Sequence, residues 1–161
     1  MPTLYLLVGL PGSGKTTWRT AFLAGNPGAS AVSRDDIVEE QAAALGIPYA
    51  EAWRQGTRGK LVDKEFRRRL IEALERGGDV VVDTTGLTAK ARRRVLTPVP
   101  EGWERVAVVF DVPEAELLRR LRQREAEGGK RIPYWLLAQM RESWAPLEPG
   151  EVDRVMVVGM E

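Results

Sequence analysis

Residues Gly9-Leu10-Pro11-Gly12-Ser13-Gly14-Lys15-Thr16 follow the spacing G-x-x-x-x-G-K-[ST] at every fixed position. Gly12 and Gly14 permit backbone conformations closed to other residues, so that Ser13, Gly14 and their neighbours can turn successive N–H groups inward. The N-terminus of a following helix adds positive potential where phosphates would lie. In this chemistry Lys15 reaches the β- and γ-phosphates of a nucleotide, and the Thr16 hydroxyl is a ligand for Mg²⁺. An apolar strand at Leu4 to Val8 precedes the loop, and a helix from about Lys15 to Ala24 follows it. The alternative, a chance glycine-rich turn opening a helix, does not require all the fixed positions at once.

Two acidic positions share the expected edge with this loop. Ser33-Arg34-Asp35-Asp36 falls where a second short strand (Ala31 to Ser33) gives way to a helix. A carboxylate there could accept the proton of an attacking hydroxyl, and it could equally cap the helix. Position alone leaves Asp35 and Asp36 open to both roles. Asp83, followed by Thr84 and Thr85, ends the strand Val80 to Val82. A carboxylate at such a strand end can hold Mg²⁺ or its water, or can cap the next helix. Asp111 precedes Val112-Pro113 and reads as a capping or turn residue.

Basic residues concentrate in residues 119–131, where Arg119, Arg120, Arg122, Arg124, Lys130 and Arg131 face only Glu125 and Glu127. Arg120 and Arg124 are four apart and share a helix face. A basic flap there, interrupted by Gly128-Gly129, could close over a nucleotide and neutralise charge as it develops. The stretch Arg54 to Arg69, with Trp53 at its edge, could grip a nucleic-acid strand by charge and stacking. The plainer reading, a helix with one solvated face and a packed tryptophan, is preferred for it and for Arg92-Arg93-Arg94. Trp18, Trp103, Trp135 and Trp144 read as core or edge packing.

The elements that must carry these residues alternate between strand and helix. Further strands are expected at Val106 to Phe110 and Val155 to Val158, and most strands are uniformly apolar, as in a parallel sheet covered on both faces. Helices are expected from Asp35 or Asp36 to Leu45, along an apolar face of Leu61, Phe66, Leu70, Ile71 and Leu74, at Ala89 to Leu96, from Pro113 to about Arg124, and from Pro133 to about Trp144. Residues 47–59 read as irregular or weakly helical. The 161 residues suit a single domain spanning 1–161. Absence of histidine and cysteine excludes His-based triads, thiol nucleophiles and disulfides. Lys and Arg total 24 against 23 Asp and Glu, a net charge of +1 that does not by itself argue for nucleic acid. No apolar run reaches membrane-spanning length and no secretory pattern opens the chain, so a cytoplasmic protein with no membrane association is expected, and no obligate protein partner is evident.

The ordered set of motifs resembles the 5′-kinase domain of bacteriophage-type polynucleotide kinases, within the adenylate-kinase-like phosphotransferases and akin to the zeta toxins. The resemblance runs over roughly residues 4–145. It rests on Gly9 to Trp18, Ser33-Arg34-Asp35-Asp36, Val82-Asp83-Thr84-Thr85-Gly86-Leu87 with Arg92-Arg93, Phe110-Asp111-Val112-Pro113, and the Arg-rich helix followed by Lys130-Arg131-Ile132-Pro133 and Met140. It implies an α/β P-loop NTPase fold of three layers, adenylate-kinase-like, with an Arg-rich lid at approximately 120–132. It also implies transfer of the γ-phosphate of ATP, with Mg²⁺, to the 5′-hydroxyl of DNA or RNA. Gly12, Ser13, Gly14, Lys15, Thr16 and Thr17, with Arg120, would bind the nucleotide. Asp35 would be the general base, Asp83 and Thr84 would help position the acceptor, and Arg124 would be the lid arginine, with Arg131 as the fallback.

Three departures accompany the resemblance. Val38 stands where the family carries an acceptor-clamping Arg, leaving Arg34, Arg54 or Arg58 to replace it. Thr85 stands in place of Asn, and the lid is about three residues longer. No Asp-x-Asp-Gly-Thr motif occurs, so no 3′-phosphatase is expected. Two other functions remain compatible with the motifs: a small-molecule kinase acting on a sugar, antibiotic, nucleoside or nucleotide-sugar, and a nucleotide-binding switch or ATPase that transfers nothing.

Overall fold

The computed structural model describes residues 1–129 and 131–159, without the side chains of 56–59. Five strands, β1 (Thr3–Val8), β2 (Ser30–Ser33), β3 (Val80–Asp83), β4 (Glu104–Asp111) and β5 (Arg154–Gly159), form one sheet in the order β2-β3-β1-β4-β5. Every pairing is parallel. Leu4, Leu6, Leu7, Val80, Val81, Val82, Val106, Ala107 and Val108 are all fully buried, which is why these strands are apolar throughout rather than alternating.

Among the described residues, seven helices accompany the strands: α1 (Lys15–Gly25), α2 (Arg34–Leu45), α3 (Tyr49–Gly59), α4 (Leu61–Glu75), α5 (Ala89–Leu96), α6 (Glu114–Ala126) and α7 (Tyr134–Glu142). On one sheet face, Leu4, Leu6, Val8, Val80 and Val82 pack with Ile37 and Val38 of α2, Phe66 and Leu70 of α4 and Val95 of α5. On the other, Leu7, Val81, Val108 and Phe110 meet Trp18 and Phe22 of α1. Trp18 and Phe22 stack at 5.2 Å between ring centroids, and both also touch Tyr5. This aromatic contact seats α1 against β1. A third cluster joins Leu117 and Leu121 of α6 to Leu136, Leu137 and Met140 of α7, around Leu10 and Leu87.

The register sets the functional edge. Ser33 and Leu7 both lie level with Asp83, so the carboxyl ends of β2, β3 and β1 finish together. The loops that leave them are neighbours although they are far apart in sequence.

Several expected boundaries shift. Of the two readings of residues 47–59, irregular or weakly helical, the helical one holds over 49–59: Pro48 is its N-cap, and Ala52 is buried. The helix after β2 begins at Arg34, because the Ser33 hydroxyl accepts the Asp36 N–H and so is the cap; neither aspartate serves that role. Pro113 and Pro133 are N-caps rather than first helical residues. On α4, Leu61 is exposed and Ile71 half-buried, while Val62, Phe66, Leu70, Ala73 and Leu74 form the buried face. Helix α6 has no side-chain cap, so Asp111 does not cap it.

Candidate functional site

The Gly-rich loop takes the geometry its sequence requires. Gly12 and Gly14 have φ of 85° and 101°, in the left-handed region, and Gly14 is the N-cap of α1. Helix α1 has no side-chain cap and no acidic residue in its first turn. The contrast with α2 is informative: there Ser33 caps the helix and Asp35 and Asp36 occupy the first turn. Amides at the start of α1 therefore remain suited to an anion, as nucleotide phosphates would require. Ser13 Oγ is buried without a hydrogen-bond partner within the same loop.

The Lys15 ammonium donates to the carbonyl of Gly9 at 2.8 Å and to that of Thr84 at 3.5 Å, spanning the β1 and β3 loops. Arg120 reaches across from α6 and donates to the Gly12 carbonyl at 3.1 Å. Its position is fixed by Glu116, one turn earlier, at 3.0 Å. Arg124 lines the same cavity as Lys15, Thr16 and Thr17, whereas the exposed Arg131 is placed 3.8 Å from Glu125.

That cavity has a volume of about 700 Å³ and is lined by the phosphate loop together with Ser33, Arg34, Asp35 and Asp36 and with Asp83, Thr84 and Thr85. Part of its lining is aromatic and basic, with Tyr49, Trp53 and Phe66 beside Lys60, Lys64 and Arg67. Of the expected residues, Gly12, Gly14, Lys15, Thr16, Thr17, Arg34, Asp35, Asp83, Thr84 and Arg124 line this cavity, whereas Ser13 and Arg120 are outside its lining. Of the three arginines considered as replacements at the Val38 position, Arg34 lines the cavity. Arg54 lies over the Trp135 ring at 4.9 Å instead, and the side chain of Arg58 falls outside the described residues, as does Lys130.

Asp83 is buried and ion-paired with Arg19 at 3.1 Å; Arg19 also stands 3.5 Å from Asp36. Burial raises the Asp83 pKa above the ordinary aspartate value, and the charges of Asp35 and Asp36 push the same way; Lys15 and Arg19 offset part of this. Asp83 does not cap α5, whose cap is the Thr88 hydroxyl. The Tyr49 hydroxyl donates a hydrogen bond to Asp35 Oδ1. Burial pushes the Tyr49 hydroxyl well above its usual titration range, and the Asp35 carboxylate adds to the effect.

Magnesium fits this donor set in one way. Among the described residues no group of three or more carboxylates could enclose a metal ion. Mg²⁺ is commonly held by one or two protein oxygens together with substrate phosphates and water, and Thr16 with the Asp83 carboxylate nearby is suited to that arrangement.

Sequence reasoning missed Arg19, Tyr49 and Asp63. Arg19 lies four residues beyond Lys15 on one helix, a spacing that places both on one face and could have flagged it. The basic stretch of residues 54–69 keeps the expected solvated face and packed tryptophan: Arg68 and Arg69 pair with Glu65, Glu72 and Glu40, Lys60, Lys64 and Arg67 are exposed, and Trp53 packs against the core. Lys60, Lys64, Arg67 and Trp53 also line the cavity. In the Arg92-Arg93-Arg94 run, Arg92 is completely buried, contrary to the solvated reading. It donates to the carbonyls of Gly86, Leu87, Ala145 and Pro146 and pairs with Glu151 at 2.6 Å, tying the β3–α5 loop to residues 145–151.

Comparison with solved structures agrees with this architecture. A protein assigned as a kinase from Chloroflexus aurantiacus superposes with a TM-score of 0.76 at 21% identity, over 98% of this chain and 85% of that one. A gluconokinase from Sinorhizobium meliloti gives 0.62 at 20% identity, over 98% and 82%. A chain of the Pnkp1/Rnl/Hen1 RNA repair complex gives 0.68 at 25% identity; the match covers 88% of this chain and 43% of that longer one. A family profile described as AAA domain matches residues 4–147. With its parallel sheet and phosphate loop, the chain belongs to this AAA domain family and has an α/β P-loop fold like that of the kinase structures it resembles.

Proposed function

We propose that the protein transfers the γ-phosphate of ATP to the 5′-hydroxyl of DNA or RNA. The observation that carries this reading is that Asp35 lines the same cavity as the phosphate loop and accepts a hydrogen bond from Tyr49, one of the aromatic residues that also line it. A donor on the loop and an acceptor against that aromatic lining would meet at Asp35. Support for a nucleic-acid acceptor comes from the aromatic and cationic lining, suited to bases and phosphates, and from the likeness to the RNA repair complex.

In this mechanism Asp35 takes the proton of the acceptor hydroxyl as its oxygen bonds to the γ-phosphorus, while the bond to the β-phosphate oxygen breaks. Gly12, Ser13, Gly14, Lys15, Thr16 and Thr17 hold the donor phosphates. Arg120 and Arg124 supply charge from α6, and Asp83 and Thr84 position the acceptor end. Thr16 would hold the Mg²⁺ that accompanies the nucleotide, and the ion would neutralise charge on the phosphates. Acceleration rests on positioning and electrostatics, with no covalent enzyme intermediate.

The test is incubation with γ-labelled ATP, Mg²⁺ and 5′-OH DNA or RNA oligonucleotides, alongside a panel of sugars and nucleosides, with Lys15→Ala as control. Label at the oligonucleotide 5′ end, absent with the variant, supports the reading. Label only on a small neutral acceptor overturns it in favour of a small-molecule kinase. That second reading draws on the gluconokinase likeness and on the apolar, buried Val38. Salt separates the two, since polynucleotide binding weakens steeply as salt rises.

A further inference from the structure

Three carboxylates from two neighbouring strand ends line the cavity: Asp35 and Asp36 in the first turn after β2, and Asp83 at the end of β3. The sequence alone leaves Asp35 and Asp36 equivalent, and the structure separates them. Asp35 accepts from the Tyr49 hydroxyl, whereas Asp36 is ion-paired with Arg19. Arg19 belongs to α1, one turn beyond Lys15, and does not line the cavity; 16% of its side chain is exposed. A single nitrogen, Nη1, lies 3.1 Å from Asp83 Oδ2 and 3.5 Å from Asp36 Oδ2. The Asp83 side chain is only 7% exposed, so that arm of the bridge is little screened by solvent.

The three elements joined by Arg19 have separate tasks in the kinase reading. Helix α1 starts at the phosphate loop and so is fixed to the donor. Helix α2 carries Asp35, the base, directly before Asp36. Strand β3 ends in Asp83, which serves the acceptor end. Helix α1 packs against both β2 and β3. Apolar packing is non-directional, whereas a guanidinium between two carboxylates constrains direction as well as distance. Resting on the kinase reading above, we infer that Arg19 is a positioning residue that locks the donor helix to both acceptor-side loops. By engaging Asp36 it also divides two adjacent aspartates into an anchor and a base. Its action is through these carboxylates and not on the substrates. A misplacement of about 1 Å between reacting atoms costs about 10²-fold in rate, which sets the scale of what the lock protects.

The experiment measures steady-state transfer from ATP, ATP binding by titration, and urea unfolding. The proteins are the wild type, Arg19→Met, Arg19→Lys, Asp36→Asn and the double variant Arg19→Met with Asp36→Asn. The acceptor is whichever of a 5′-OH oligonucleotide, a nucleoside or a sugar the wild type phosphorylates. Arg19→Met should lower kcat by about tenfold to a hundredfold, with ATP affinity unchanged. Arg19→Lys should recover part of the loss, because an ammonium keeps the charge but not the planar fork. Asp36 is half exposed, so Asp36→Asn is expected to fold. It should lower kcat by about twofold to fivefold, and should have no further effect in the Arg19→Met background, as coupled partners require. Arg19→Met takes a partner from the buried Asp83 and is expected to lose stability. If it does not fold, Arg19→Lys and Asp36→Asn carry the test, both with lowered kcat at unchanged ATP affinity. Wild-type kcat in both of these, or losses of kcat matched by equal losses of ATP affinity, would overturn the inference while leaving the kinase reading standing. Transfer by the wild type to none of the acceptors would overturn both.

Discussion

The Tyr49 hydroxyl of α3 donates a hydrogen bond to the Asp35 carboxylate at the start of α2. Asp35 thereby has one oxygen anchored by a group from another helix, which restricts its orientation toward the cavity. Tyr49→Phe removes the donor while keeping the ring that packs against the core. It is expected to lower kcat by about tenfold, the scale of one hydrogen bond to a charged group, and to leave the KM for ATP unchanged. Steady-state kinetics with both substrates varied checks this, and an equal rise in both KM values would instead indicate a collapse of the α3 wall.

Asp83 offers a pH-dependent prediction. Its pKa is raised from 3.8 by burial, so the folded state favours the neutral acid. Its stabilising contribution is fully present below the ordinary value and is lost as pH rises through the raised one. The stability of the wild type relative to Asp83→Asn should accordingly fall with increasing pH across that interval and then level off. Urea unfolding at a series of pH values measures it. A relative stability that grows with pH would mean that the ion pair with Arg19 outweighs desolvation.

Arg92 is a structural residue despite its place in a basic run. Its guanidinium is completely buried, and Glu151 closes the pair. Burial alone would raise the Glu151 pKa, but the hydrogen bonds from Arg92 and from the Glu148 amide hold it below the ordinary carboxylate value. Arg92→Met removes the guanidinium donor from that carboxylate and from the carbonyls of Gly86, Leu87, Ala145 and Pro146. A loss of about 3–5 kcal/mol of stability is expected, as for breaking a buried pair from one side. Denaturant unfolding reads the loss directly, and a change under about 1 kcal/mol would contradict it.

Arg120 and Arg124 are predicted to divide their labour. Arg120 contacts the phosphate loop already, through the Gly12 carbonyl, whereas Arg124 only lines the cavity one turn further on. Arg120→Ala should therefore weaken ATP binding, and Arg124→Ala should act mainly on kcat, by about 10³ if it meets charge that develops during transfer. Nucleotide titration alongside turnover separates the two, and a reversed pattern would exchange their roles.

Much of this site was legible because its signals are local. The phosphate-loop spacing demands glycines with particular dihedrals, and Gly12 and Gly14 have them. Apolar strands ending in Ser33 and Asp83 place their loops on one edge, as the register confirms. What could not be read depends on contacts between distant segments. Nothing in the run of three arginines distinguishes the buried Arg92 from its exposed neighbour Arg93, because the carbonyls that receive it come partly from residues 145 and 146. Asp63 gives no local sign of holding arginines from α2 and α5. Helix α3 was only weakly legible, as one of two readings, because Gly56 and Gly59 weaken its propensity, while packing against α2 and α4 sustains it.

The central claim is that Asp35 is the base between donor and acceptor. It is tested most directly by single-turnover transfer from ATP to a 5′-OH oligonucleotide with Asp35→Asn, paired with ATP titration of the same protein. The account predicts ATP affinity within about twofold of wild type and a transfer rate lowered by about 10²–10⁴. Transfer by Asp35→Asn at a rate close to that of the wild type would contradict it.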